Sequence, residues 1–375
     1  MTPARRRPVP AVVRTLLVGG LLVGAARTVR AARGVPLAVG APDAELRARA
    51  ASSPHARDGR FANAEPGVQI APGSVRSLLV KVATRGSLGT PSGPVPLVDE
   101  PAPARAGELA VTWFGHSSAL LEVDGVRVLA DPVWGERVSP SSRVGPRRLH
   151  PVPVPLESLP PVDVVVVSHD HYDHLDMATV VRLARGTSAV FVVPLGIGAH
   201  LRRWGVPDDR VRELDWDAAT DVAGLEITCA RARHFSGRLF ARNTTQWASW
   251  AIAGPTRRVY FGGDTGYTTA FADAGVRFGP FDATLLPVGA YDASWPDIHM
   301  NPEESVRAHA DLCGGLLVPV HWATFNLAFH GWSEPVRRLS RAAQSAGIPL
   351  VVPRPGQRVD LLDPPRIDDW WTTIG

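Results

Sequence analysis

Val162-Asp163-Val164-Val165-Val166-Val167-Ser168-His169-Asp170-His171-Tyr172-Asp173-His174 is the stretch on which the reading of this chain turns. Its apolar half is short and β-branched, which predicts a strand buried on both faces. That strand runs straight into an H-x-H-x-D-H cluster. In an extended loop, residues two apart point the same way, so His169 and His171 can close on one ion. Where the loop turns into the next helix, Asp173 and His174 are presented to a second ion. Three imidazoles so close together would repel one another on protonation unless a metal kept them neutral, so a plain polar loop explains the cluster poorly.

Four residues cannot fill two coordination shells. Three later residues can supply the rest: His234 after a strand ending near 232, Asp264 after Val259-Tyr260-Phe261-Gly262-Gly263, and His321 after the run 316–320. Singly, each has an ordinary alternative: a surface loop histidine, a turn-forming aspartate, a packed core histidine. Jointly they sit just beyond strand ends, the edge at which sites of sheet-based α/β folds are assembled. A shared Asp264 would place His169, His171, His234 and Asp264 on one ion, and Asp173, His174, Asp264 and His321 on the other.

Around this centre the chain alternates short apolar runs with helical stretches. Strands are expected at 110–114, 119–123 and 126–130, the last two joined by an Asp124-Gly125 turn, and at 225–232 (half-buried), 258–261, 283–287 and 316–320. Asp176 can cap a helix ending near Gly186. Asn301-Pro302-Glu303-Glu304 carries a capping box for a helix over 302–313, and Ser333-Glu334-Pro335 starts another in the same manner. This pattern indicates an α/β protein of layered sheets with helices outside. Three parts are expected: a leader over 1–42, an extension over 43–106 packed on the body with helical patches at 43–51 and 75–82, and the main domain over 107–375.

The formal charge of +4 misleads. Seven of the 40 basic residues, and no acidic one, lie in the first 42 positions, leaving 33 basic against 36 acidic residues in the body. Such a body lacks the basic footprint of a nucleic-acid binder, so no nucleic-acid partner is expected. The leader itself, Arg5-Arg6-Arg7 followed by TLLVGGLLVGAA over 15–26 and then Arg27, is too short to span a bilayer as it stands. It fits an export signal with Val29-Arg30-Ala31 as a loose cleavage site, or a tilted anchor if 11–13 are recruited. The expected location is therefore membrane-associated or exported, with the cytoplasm as the fallback. Cys229 and Cys313 form no C-x-x-C pair, which excludes a disulfide scaffold and leaves nitrogen and oxygen as metal ligands; both cysteines are expected to be small buried hydrophobes.

The seven ligand positions resemble those of the metallo-β-lactamase superfamily. Further motifs narrow the resemblance: Asp58-Gly59-Arg60-Phe61-Ala62-Asn63, Thr112-Trp113-Phe114-Gly115-His116, Asp131-Pro132, Gly145-Pro146-Arg147-Arg148, Gly263-Asp264-Thr265-Gly266-Tyr267, Gly289-Ala290-Tyr291 and His321-Trp322-Ala323-Thr324-Phe325. Over about residues 55 to 340 the chain is similar to the N-acylphosphatidylethanolamine-hydrolysing phospholipase D branch. That resemblance implies a four-layer αββα sandwich with two zinc ions, although iron or manganese suits the same ligands. It also implies a phosphodiester hydrolase that releases N-acylethanolamine from a phospholipid and leaves phosphatidic acid, using water ionised by the two ions. In that scheme Asp264 and Asp173 are catalytic as well as ligands, and Asp264 passes a proton to the leaving alkoxide. A phospholipid substrate implies a membrane surface as partner; a homodimer is left open. His116, His299, Trp322 and Phe325 are candidate substrate contacts, and Trp113, Phe114, Trp134, Trp247, Trp250 and Trp295 are further candidates to line an apolar approach, with core packing as the alternative. A lactonase, thioesterase or sugar-phosphate hydrolase of the same fold, a β-lactamase, and a metal- or lipid-binding module without catalysis are the competing readings.

Overall fold

The computed structural model describes residues 32–375; the expected leader lies for the most part outside the described residues. A two-stranded hairpin of β1 (Ala56–Arg57) and β2 (Arg60–Phe61) precedes two larger sheets. The first contains β3 (Leu109–Gly115), β4 (Ser118–Val123), β5 (Val126–Ala130), β6 (Val164–Val166), β7 (Val190–Pro194) and β8 (Val211–Leu214). The second contains β9 (Ala219–Val222), β10 (Leu225–Ala230), β11 (Ser249–Ala253), β12 (Arg258–Phe261), β13 (Phe281–Pro287) and β14 (Gly314–Val320), and the late strand β15 (Arg358–Asp360) returns to the first. The spatial orders are β15-β3-β4-β5-β6-β7-β8 and β14-β13-β12-β11-β10-β9. β5 to β8 run parallel, as do β12 to β14, while the other neighbours in both sheets are antiparallel.

Alternation along β6 shows how this sandwich is filled. Val164 and Val166 face the second sheet in a core shared with Trp113, Leu121, Ile227, Trp250 and Phe261. Val165 and Val167 face outward and pack with Val180 and Leu183 of the helix Met177–Gly186 and with Ile197 and Leu201 of the helix Ile197–Arg203. With both faces covered, no polar position is tolerated, which is why the run reads as continuous valine. The helices Ala270–Phe278, Pro302–Asp311 and Glu334–Ala346 follow strands of the second sheet, and Phe271, Ala308, Leu312 and Leu339 pack into the main core. The result is the expected α/β arrangement of two sheets between helical layers.

Local signals explain several boundaries. Asp124 and Gly125 both have positive φ, 48° and 83°, as a two-residue hairpin turn of the I′ kind requires. The Asp176 side chain accepts from the Ala178 and Thr179 amides, and the Asn301–Glu304 capping box is fully formed. Ser333 precedes its helix without a side-chain cap. Two expectations need correction. The strand over 225–230 is not half-buried: only Glu226 is exposed, because both faces of this sheet are covered. Cys313 is exposed, at φ 53° where the helix Pro302–Asp311 turns into β14, so only Cys229 is a buried hydrophobe. The helical patches of the extension are Asp43–Ala50 and Ser74–Thr84; Ala50, Phe61 and Val95 join the main core. Among the described residues, no helix is long and apolar enough to cross a membrane.

The capped helix Pro302–Asp311 also holds the site edge, since Ser305 donates to the carbonyl of Pro287 at the end of β13. Replacing Asn301 by Ala is expected to destabilise the fold by about 1 kcal/mol, read as a lower urea midpoint with an unchanged slope.

Candidate metal centre

Every residue of the expected ligand set leaves a strand at the same edge of the sandwich: His169 three residues after β6, His234 four after β10, Asp264 three after β12 and His321 one after β14. They converge as two donor groups. His169 Nε2 lies 2.8 Å from His171 Nδ1, which lies 3.3 Å from His234 Nε2. On the other side, Asp264 Oδ2 lies 3.2 Å from His174 Nε2 and 3.0 Å from His321 Nε2, and Asp173 Oδ2 lies 3.6 Å from each of these nitrogens. The same Asp264 Oδ2 is 3.9 Å from His169 Nε2 and 3.7 Å from His234 Nε2. One carboxylate oxygen therefore stands between both groups. Donors around one tetrahedral cation, each about 2.1 Å from it, would be roughly 3.4 Å apart, so the spacing suits a divalent ion in either group.

Unsatisfied atoms point the same way. His174 Nε2, His321 Nε2 and Asp264 Oδ1 are buried without a hydrogen-bond partner among the described residues, a cost that a protein interior does not carry without a ligand or another role to compensate it. Burial also works against charge on Asp173 and Asp264, yet the neighbouring histidines hold both carboxyls well below the usual range. Burial likewise opposes charge on His321, but Asp264 and Asp173 carry its pKa up to about 9, and the three carboxylates around His174 hold it well above its ordinary value. His169 and His234 are instead pushed well below theirs by burial and by neighbouring imidazoles. Protons on His174 and His321 thus balance the buried carboxylates, and a bound cation would displace those protons.

The ligand loop is held from behind. Asp131, 0 % exposed, accepts from the Ser168 amide at 2.7 Å and the Ser168 hydroxyl at 2.6 Å, and bonds His174 Nδ1 at 2.6 Å. This fixes which nitrogen of His174 faces the site. His234 Nδ1 is directed at the Ile298 carbonyl at 3.0 Å. The alternate aspartate of the motif, Asp170, turns away and accepts from the Gly237 amide, while the buried Arg238 guanidinium donates to the carbonyls of Asp170 and Leu175. His116 and His321 both have left-handed backbone, φ 52° and 61°, and the His321 amide donates to the His116 carbonyl at 2.9 Å; strained residues of this kind gather at functional sites. Gly263, φ 58°, lets Asp264 approach the first sheet, since a Cβ there would overlap the Ser168 side chain.

The substrate contacts expected from sequence divide. His299 lines the cavity above the donors, a space of about 200 Å³ also walled by Phe235, Trp295, Ile298 and Leu327. Its Nδ1 is buried, has no hydrogen-bond partner among the described residues and lies 3.7 Å from Asp264 Oδ2. His116, in contrast, is a buried neighbour whose Nε2 bonds Asp173 Oδ2 at 3.0 Å. Phe325 packs edge-on against His116 with the Arg148 guanidinium over its ring. Trp322 stacks on Trp113 at 5.5 Å inside a tryptophan cluster with Trp332, Trp370 and Trp371. Trp322 and Phe325 are therefore corrected from substrate contacts to packing residues, because each ring is enclosed by core neighbours. Trp113, Trp247 and Trp250 are likewise core, and Phe114 and Trp134 belong to the outer face of the first sheet; of the tryptophans, Trp295 reaches the cavity. Phe235, Ile298, Leu327 and Asp131 join the site from outside the set of sequence candidates. Position next to His234 and His299 was an available signal for Phe235 and Ile298, whereas Leu327 carries none.

A model described as the beta-lactamase superfamily domain matches residues 126–322, more than half of the chain and a span that contains all seven donors. The chain belongs to the metallo-β-lactamase superfamily. Within that family, an uncharacterized protein of Mycobacterium tuberculosis is 56% identical over 349 residues, covering 91% of this chain and 94% of its own. The N-acyl-phosphatidylethanolamine-hydrolyzing phospholipase D 1 of Caenorhabditis elegans is 39% identical over 229 residues, 58% of this chain and 64% of that protein. Among solved structures, the metallo hydrolase Igni18 of Ignicoccus hospitalis superposes with a TM-score of 0.54 at 24% identity, covering 67% of this chain and 97% of its own, which shows the fold. Fold and relatives together make this superfamily member a metal-dependent hydrolase.

Asp131→Asn removes the carboxylate that orients His174, and divalent-metal affinity is expected to fall by about 10- to 100-fold in a chelator competition titration. Gly263→Ala should lower stability by roughly 1–3 kcal/mol, measured by denaturant unfolding, with metal content falling alongside it.

Proposed function

We propose that this hydrolase holds two zinc ions and cleaves a phosphodiester, acting as a phospholipase D on N-acylphosphatidylethanolamine-like lipids to give N-acylethanolamine and phosphatidic acid. Asp264 carries the reading: its Oδ2 faces nitrogens of both donor groups, its Oδ1 has no hydrogen-bond partner among the described residues, and the residue lines the cavity. His169, His171, His234 and Asp264 would hold one ion, and Asp173, His174, Asp264 and His321 the other. When bound, such ions supply Lewis acidity, ionising water near neutral pH and neutralising charge on the non-bridging phosphate oxygens.

The chain's own residues do the rest. Asp264 ties the two donor groups together and offers Oδ1 to hold a proton that the departing alkoxide requires. Asp173, fixed by His116, sets the positions of His174 and His321. His299 presents Nδ1 over Asp264, where a substrate oxygen would lie. Phe235, Trp295, Ile298 and Leu327 exclude water from the approach and offer apolar contact to an acyl chain. The choice of lipid rests on the similarity to the C. elegans enzyme.

Turnover of bis-p-nitrophenyl phosphate set against thioester and lactone substrates, with mass spectrometry of products from a mixed phospholipid extract, tests the reaction. Release of N-acylethanolamine with phosphatidic acid supports it; phosphodiesterase silence beside rapid lactone opening displaces it. Asp264→Asn is expected to lose metal and to slow turnover by at least about 100-fold, and full activity in that variant would remove Asp264 from its role.

A further inference from the structure

The buried guanidinium of Arg238 takes no part in the proposed hydrolysis, yet backbone from three places in the chain meets on it. Its Nη1 donates to the carbonyls of Asp170 and Leu175 at 2.7 and 2.9 Å, the two residues that bracket the ligand run 171–174. Its Nη2 and Nε donate to the carbonyl of Ala38 at 2.7 and 3.2 Å. The guanidinium also lies over the rings of Tyr172, at 4.0 Å, and Trp204, at 5.2 Å. A buried charge is costly unless hydrogen bonds meet it, so the arginine depends on Ala38 as much as Ala38 depends on the arginine.

Ala38 belongs to the short helix Val35–Val39, which is held to the body through its own backbone. The Trp204 indole donates to the Leu37 carbonyl at 2.8 Å, and the Ala41 amide donates to His200 Nδ1 at 2.8 Å. His200 stacks on Trp204 at 5.7 Å, and its Nε2 lies 3.6 Å from Asp170 Oδ2. Asp170 Oδ1 in turn accepts from the Gly237 amide, one residue before Arg238. Segment 35–41, His200, Trp204, Asp170 and Arg238 therefore form one connected set directly behind the metal donors. Gly40 makes the docking possible: its φ is 94°, and a Cβ there would stand 2.1 Å from His200 Nδ1. Ala41 packs with Leu46 and Ala199 in a small cluster apart from the main core, so the segment can open without the sandwich unfolding.

We propose that Arg238 and segment 35–41 position the ligand run, so that docking of the segment and binding of a divalent metal strengthen each other. Arg238 is the positioning residue: it fixes the carbonyls on either side of His171, Asp173 and His174. Release of Ala38 leaves its Nη2 and Nε donors buried without an acceptor, and relief of that cost draws the guanidinium, with the Asp170 and Leu175 carbonyls, out of place. The inference rests on the metal centre and is independent of the lipid reading. A partner or protease that takes hold of 35–41 would weaken the centre without entering the cavity.

Linkage makes the coupling measurable from both sides. Hydrogen exchange is followed on the full chain, metal-free and zinc-loaded. The Ala41 amide and the Trp204 indole N–H are expected to exchange about tenfold more slowly with zinc bound, while the Val98 amide, bonded to the Pro355 carbonyl, responds less. In chelator competition, Gly40→Ala and Trp204→Phe should each weaken zinc binding about tenfold. Arg238→Lys should weaken it at least as much, because an ammonium lacks the planar fork that reaches three carbonyls. Unchanged zinc affinity in Gly40→Ala and Trp204→Phe overturns the proposal. So does slowing shared equally by Ala41 and Val98 in the wild type, which would make the metal a stabiliser of the whole fold; that measurement needs no variant to fold. Zinc that binds without this coupling sinks the inference alone, whereas absence of zinc binding sinks the metal centre with it.

Discussion

The architecture depends on one buried carboxylate oxygen. Asp264 Oδ2 lies within 3.9 Å of five imidazole nitrogens contributed by four different loops and is shielded from water. An ionised carboxylate is costly to bury alone and stable only where positive charge meets it. Protons on His174 and His321 meet that requirement in part, and divalent cations would meet it more fully. The other site residues can be understood as devices that bring nitrogen donors to this oxygen and keep them there.

Both sheets contribute to that convergence. Parallel strands β5 to β8 and β12 to β14 end at the same edge, so loops far apart in sequence open onto one space. Close approach is then secured locally. Gly263 admits the Asp264 loop beside Ser168, Asp131 bridges the end of β5 to Ser168 and His174, and His116 and His321 accept left-handed backbone where their strands end. Arg238 adds a third tie, donating from one fully buried guanidinium to the carbonyls of Asp170, Leu175 and Ala38. Through it Ala38, within the span expected to be leader, is tied to the ligand loop.

Much of this was legible in the sequence because it depends on local pattern. A valine run followed by clustered histidines, and ligands placed just after apolar runs, needed no tertiary information. The capping box at Asn301 and the Asp124-Gly125 turn are equally local. What stayed hidden depends on partners distant in sequence. β15 pairs with β3 across some 250 positions, and three residues of mixed polarity give no strand signal. Trp322 reads as a cavity aromatic because it follows His321, whereas its surroundings come from Trp113 and the C-terminal Trp370 and Trp371. Asp131 shows only as a residue before proline, and its role appears once β5 lies beside β6.

Anomalous diffraction from crystals of the metal-loaded protein tests the central claim most directly. The account predicts two separate metal peaks, one on each side of Asp264, with His169, His171 and His234 around the first and Asp173, His174 and His321 around the second. A single peak, or density bound away from Asp264, would contradict the sharing of that carboxylate and the two-ion hydrolysis built upon it.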